Sequence, residues 1–164
     1  MTLMRVFCVA GLVLGLAACQ DSGLDLSAKS GRRVVVGPSV PVAIESIEGT
    51  PQEVAPRFSA AMAAEAQARE VSFVDADQAP RFRLRGYLTA APGDGGTVVS
   101  FVWDLFDQGQ KRAQRVAGSE IIKRTAAESW SAVDDPALKR VASRSMDAIA
   151  EFLVGVARPE APVA

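Results

Sequence analysis

Hydrophobic and polar positions along the chain change period several times, and each period predicts an element. Residues 6–18, VFCVAGLVLGLAA, are almost continuously apolar behind a single early cation, Arg5. A spanning helix needs about 20 apolar residues and a signal-peptide core about 7 to 15. The run therefore predicts a signal peptide over residues 1–18. QDSGLDLSAKSG follows with no helical or strand period, so residues 19–32 read as Cys19 and a short flexible tether. Val40, Val42 and Ile44 then recur at period two, the mark of an extended segment, and Pro38 and Pro41 place it at an edge or an irregular start. TPQE predicts a helix start with Thr50 as N-cap, Pro51 at the first helical position and Glu53 closing a capping box. Val54, Phe58, Met62 and Ala66 continue it as one apolar stripe to about Glu70.

Beyond this helix the period returns to two. VSFV predicts a short strand and DADQAP a turn. In RFRLRGYLTA, Phe82, Leu84, Leu88 and Ala90 share one face, while Arg81, Arg83, Arg85, Tyr87 and Thr89 share the other. PGDGG is a hairpin loop, without the lysine and hydroxyl residue that end a phosphate-binding loop. Val99, Phe101, Trp103 and Leu105 form the core face of the next strand, with Val98, Ser100, Val102, Asp104 and Phe106 opposite. DQGQ turns the chain, with Gly109 expected at positive φ, into KRAQRVAGSEIIKR, whose inward face the pattern leaves open. Trp130 is expected to cover one end of the core. Asp134 or Asp135 caps a second helix starting at Pro136, with Leu138, Val141, Ala142, Ser145, Ile149, Phe152, Leu153 and Val156 at helical spacing. The predicted fold class is α+β: a mostly antiparallel sheet of about four strands with two helices on one face, in the order β-α-β-β-β-α. One periplasmic domain is expected over residues 33–157, with a frayed tail at 158–164.

Composition narrows the chemistry. Removing 18 of 164 residues leaves 146, the usual size of one domain, and loss of Arg5 moves the formal charge from −1 to −2. Such a balance does not mark a nucleic-acid binder. The chain has no histidine, and Cys8 leaves with the signal peptide, so imidazole-based nucleophilic sites and imidazole or thiolate metal sites are ruled out of the mature chain. Neither a metal nor a cofactor is expected. Carboxylate chemistry or a Ser-Lys pair remains, and no Ser-x-x-Lys occurs near Lys139.

Leu16-Ala17-Ala18-Cys19 resembles the lipobox of bacterial lipoproteins. That resemblance implies a thioether-linked diacylglycerol on Cys19, cleavage just before it, and fatty acylation (palmitate) of the new amine. Several acyl chains, at about 0.8 kcal/mol per buried methylene, anchor a protein stably. The residue after Cys19 is Gln20 and not aspartate, which favours the outer membrane, periplasmic face, over the inner membrane. The element order behind a lipobox is similar to that of small envelope-assembly lipoproteins: activators of penicillin-binding proteins, the amino-terminal domain of TolB, and auxiliary lipoproteins of ABC-type lipid transport. The implied role is docking rather than chemistry.

Two sets of side chains are candidates. Arg81, Arg83, Arg85 and Tyr87 form one row that would bind an envelope protein partner, peptidoglycan, or the phosphates of a lipid or lipopolysaccharide; the alternative is a solvated face whose charges pair with Asp104 or Glu120. Asp104, Asp107 and Glu120 would have to supply acid and base in a cell-wall glycan hydrolase. The expected function is a lipid-anchored, non-catalytic binding or scaffold module. A subunit of a lipid transport system, marked by an apolar groove, and a carboxylate hydrolase, marked by a cleft, are the alternatives.

Overall fold

A computed structural model of the chain describes residues 40–157. The signal peptide, Cys19, the tether and the tail lie outside the described residues. The element order is β1 (Val42–Glu48), α1 (Ala55–Gln67), β2 (Phe82–Gly93), β3 (Gly96–Phe106), β4 (Arg112–Ile122), a 3-10 turn (Ser129–Ala132) and α2 (Asp135–Ala157). The strands form one sheet in the order β1-β2-β3-β4, with β1 parallel to β2 and the other two pairings antiparallel. The predicted α+β architecture is the one observed.

Side-chain alternation decides which sheet face is covered. Leu84, Leu88, Val99, Phe101, Trp103 and Leu105 are buried in one cluster with Phe58 and Met62 of α1 and Leu138, Val141, Met146, Ile149 and Leu153 of α2. Trp103 stacks against Phe58 at 6.4 Å between ring centroids, and Phe82 meets Phe152 edge-on at 5.3 Å. Gly86 and Gly118 make room for this layer. They sit opposite Trp103 and Phe101 in the ladder, and a Cβ on either would come within 2.6 or 2.5 Å of the facing ring. Trp130 packs against the cluster, as expected.

Three local readings change. Thr50 does not cap α1, which begins at Ala55 with no side-chain cap. Pro56 is the reason. In a helix starting at Pro51 it would be interior, lacking an N–H and clashing with the carbonyl four residues back; starting at Ala55 puts it in the first turn, where no donor is needed. The Pro51 carbonyl instead accepts the N–H groups of Val54 and Ala55 in a turn before the helix. VSFV is reduced to a single bridge, Phe73 with Val42, because the Val71 N–H is already spent on Ala66 at the end of α1. In the β3–β4 turn the positive φ belongs to Gln110 and not Gly109. The Asp107 carboxylate accepts the Lys111 N–H at 3.0 Å, and the Asp107 carbonyl accepts that of Gln110, closing the turn one residue later. For α2 the cap is Asp134, whose Oδ1 accepts the Ala137 N–H at 3.0 Å.

Candidate functional site

Both helices cover one side of the sheet, so the other side is the open face. It carries Arg83, Arg85, Tyr87 and Thr89 of β2, Val98, Ser100, Val102, Asp104 and Phe106 of β3, and Arg115, Ala117, Ser119 and Ile121 of β4 in register across the ladder. Ile121 is 54% exposed and Tyr87 37%, the two large apolar side chains most open to water among the described residues. The face therefore has two halves: a charged one near Arg85 and Asp104, and a mostly apolar one where Val98 faces Ile121 and Val102 lies between Tyr87 and Ala117.

Of the predicted row, Arg83, Arg85 and Tyr87 share the open face and Arg81 leaves it. Arg81 precedes β2 and turns towards the end of α2, where its Nη2 lies 3.5 Å from the Val156 carbonyl. Arg83 donates to the Ala76 carbonyl at 2.9 Å. Arg85 grips Glu45, in the bulge of β1, through Nε at 2.9 Å and Nη2 at 3.3 Å, and lies 4.6 Å over the Phe106 ring. Tyr87 remains exposed. Glu45 is thus the carboxylate that Arg85 pairs with, and sequence reasoning named Asp104 or Glu120 because β1 had no assigned register.

Asp104 faces Arg85 and Arg115 in the ladder, yet its fork is with Arg115, Nε to Oδ1 at 2.7 Å and Nη2 to Oδ2 at 2.6 Å, with Arg112 3.8 Å away. Only 5% of the Asp104 side chain is exposed. The Arg115 hydrogen bonds outweigh burial and hold its carboxyl below the usual carboxylate range. Glu45 is lowered likewise by its bond to Arg85, and Asp134 by the Ala137 N–H and then by Arg124. A depressed folded pKa contributes stability that is complete above the unfolded value. It is lost as the pH falls below about 4, through the lower folded values. Urea midpoints taken from pH 7 down to 2 should therefore fall on the acid side, and Asp104→Asn should make that fall shallower. An unchanged acid slope in the variant would show that the pair contributes nothing.

The three carboxylates considered for hydrolysis are dispersed. Asp104 lies on the open face and Asp107 in the β3–β4 turn. Glu120 lies on the helix side, with Arg140 Nε at 2.8 Å from Oε1 and Arg144 Nε at 2.7 Å from Oε2. The arginines that hold Asp104 in its charged form work against the raised pKa an acid catalyst needs.

Two further features were not anticipated from sequence. Arg69, 1% exposed, bonds the Glu65 carbonyl at 2.8 Å and its carboxylate at 2.5 Å, the Ser143 hydroxyl at 2.8 Å, and Asp147 through Nε at 2.9 Å and Nη2 at 2.8 Å, tying α1 to α2. The (i, i+4) spacings Glu65–Arg69 and Ser143–Asp147 were the available signal. Between the helices, Ala60, Ala61, Ala64 and Leu138 line a shallow groove of about 400 Å³, closed at one side by the Arg57–Asp135 pair.

No family model matches the chain, and no curated protein matches it in sequence. Among solved structures it is similar to the PelC dodecamer of Paraburkholderia phytofirmans, at 18% identity over 69% of this chain and 93% of that one, with a TM-score of 0.43. A Xanthomonas campestris protein of the DUF330 family is similar at 9% identity over 76% of this chain and 92% of that one, TM-score 0.43. Lipoprotein B of Nitrosomonas europaea is similar at 14% identity over 79% and 90%, TM-score 0.38. Among the described residues no helix is long and apolar enough to cross a membrane.

Proposed function

We propose that this chain is a non-catalytic binding or scaffold module, lipid-anchored through Cys19 at the periplasmic face of the outer membrane and working within a cell-envelope complex. The observation that carries this reading is the two-sided sheet. One face is packed under both helices, while the other presents Tyr87, Val98, Val102 and Ile121 beside a set of arginines held in place by Glu45 and Asp104. An open sheet face with an apolar half beside fixed charges suits a protein surface better than a small molecule, which needs a concave site. The lipobox supplies the address, and the short tether keeps the domain near the membrane. The groove between α1 and α2 favours, as a second reading, an auxiliary subunit of a lipid transport system.

In-cell crosslinking of a carboxy-terminally tagged chain, followed by mass spectrometry, tests the leading reading. A specific envelope protein should be recovered from the anchored chain and lost from the Cys19→Ser form. Recovery of abundant neighbours alone would remove the docking role. In the same strains, Cys19→Ser should abolish acylation and move the chain from the membrane to the soluble fraction. Its melting temperature should not change, because the packed core begins at Val40. Unchanged membrane retention would overturn the anchor.

A further inference from the structure

Charge is unevenly distributed over the described residues, and its concentration coincides with an open strand edge. β4 is an outer strand, and among the described residues no backbone group pairs with its outer side. The opposite outer strand differs: Val42 at the start of β1 exchanges backbone hydrogen bonds of 2.9 Å with Ser72 and Val74. β4 is flanked on each side by one carboxylate holding two arginines. On the open face Asp104 holds Arg115 and Arg112; on the helix side Glu120 holds Arg140 and Arg144. At the two ends of the strand stand Lys111 and Lys123, with Arg124 paired to Asp134 at 3.1 Å.

This edge thus gathers seven cations against the four carboxylates Asp104, Asp107, Glu120 and Asp134, a surplus of three. Residues 40–157 as a whole hold 13 cations and 16 anions, so the surplus runs against the charge of the domain. The arginines also keep donors in reserve. Arg140 and Arg144 meet Glu120 through Nε, their side chains are 50% and 60% exposed, and their Nη groups make no hydrogen bond among the described residues.

We propose that the β4 edge is a strand-addition site for an extended acidic polypeptide segment of an envelope partner. A strand added there forms main-chain hydrogen bonds with the unpaired edge. Its side chains fall alternately on the two faces of the sheet, so acidic residues on either face meet a pair of arginines. Pairing of β4 with β4 of a second copy would set cations against cations, which disfavours self-association through this edge. The inference rests on the docking reading and assigns the partner's chemistry.

The test uses the acylated full chain in neutral detergent and a fluorescent peptide alternating Glu with Val and Thr. Binding by anisotropy should weaken at least tenfold when alternate peptide nitrogens are methylated, which keeps the charge and blocks strand pairing. It should also weaken at least tenfold at high salt, and in the exposed-site variant Lys111→Glu with Lys123→Glu. Amide exchange in Arg112–Ile122 should slow when the peptide is bound. Equal binding of the methylated peptide would overturn the proposal, as would binding of phosphatidylglycerol vesicles at this edge in place of the peptide, or self-association of the chain through it. Crosslinking to an envelope protein that persists after such a failure would leave the docking role standing and remove only the acidic strand.

Discussion

Arg69→Met should destabilise the domain by about 3–5 kcal/mol, the range expected when one partner of a buried ion pair is removed. A domain of this size has a total stability of about 5–15 kcal/mol, so a large part of it is at stake. The reason lies in what Arg69 satisfies. From just past the end of α1 its guanidinium reaches back to Glu65 in the last turn of that helix and crosses to Ser143 and Asp147 on α2. Methionine fills the volume but removes the ion pair to the buried Glu65 carboxylate, 5% exposed, and the bonds that Arg69 donates to Ser143 and Asp147. Arg69→Lys should recover only part of the loss, since an ammonium cannot reproduce a planar fork serving two helices. Equilibrium urea unfolding measures both. A loss below about 1 kcal/mol for Arg69→Met would mean that the two helices are held by apolar contact alone.

Trp103→Ala should cost about 3–5 kcal/mol, as expected for truncating a fully buried aromatic ring. Trp103→Phe should cost distinctly less, because the indole Nε1 is buried without a hydrogen-bond partner among the described residues. The ring also explains Gly86, its cross-strand neighbour. Gly86→Ala in the natural background forces a methyl group against the indole and should destabilise by about 1–3 kcal/mol. In the Trp103→Ala background the same substitution should be close to neutral or stabilising, since the space is then empty. Additive losses in this double-mutant cycle would show that Gly86 is required by the backbone and not by the ring.

These two sites differ in how far the sequence disclosed them. Trp103 was placed on the core face by alternation with Val99, Phe101 and Leu105, a local signal that pleating alone imposes. For Arg69 the sequence offered only its (i, i+4) spacing to Glu65, because its other partners lie 74 to 78 positions away on α2. The start of α1 shows the same division on a smaller scale. Thr50, Pro51 and Glu53 satisfy a capping pattern, but Pro56, five residues after Pro51, also has to be accommodated, and its missing donor moved the start to Ala55. The arginine row was legible as an alternation, which holds for Arg83, Arg85 and Tyr87 but not for Arg81 before the strand. A strand places Arg83 and Arg85 on one face, while the bulge in β1 and the turn at Ala76 decide what each of them grips.

The sequence by itself determined the order of the elements, the core faces of β2 and β3 and the capped start of α2, because each depends on residues only a few positions apart. The inward face of β4 was undecided, since both of its alternating sets mix apolar and charged side chains. Only pairing with β3 settled it, setting Glu120 beneath Arg140 and Arg144, and Arg115 over Asp104. The open face, the β4 edge left unpaired among the described residues and the concentration of cations along it likewise belong to the tertiary structure. They arise from strand order and from helices packed on one side, which bring together charges that the chain keeps far apart.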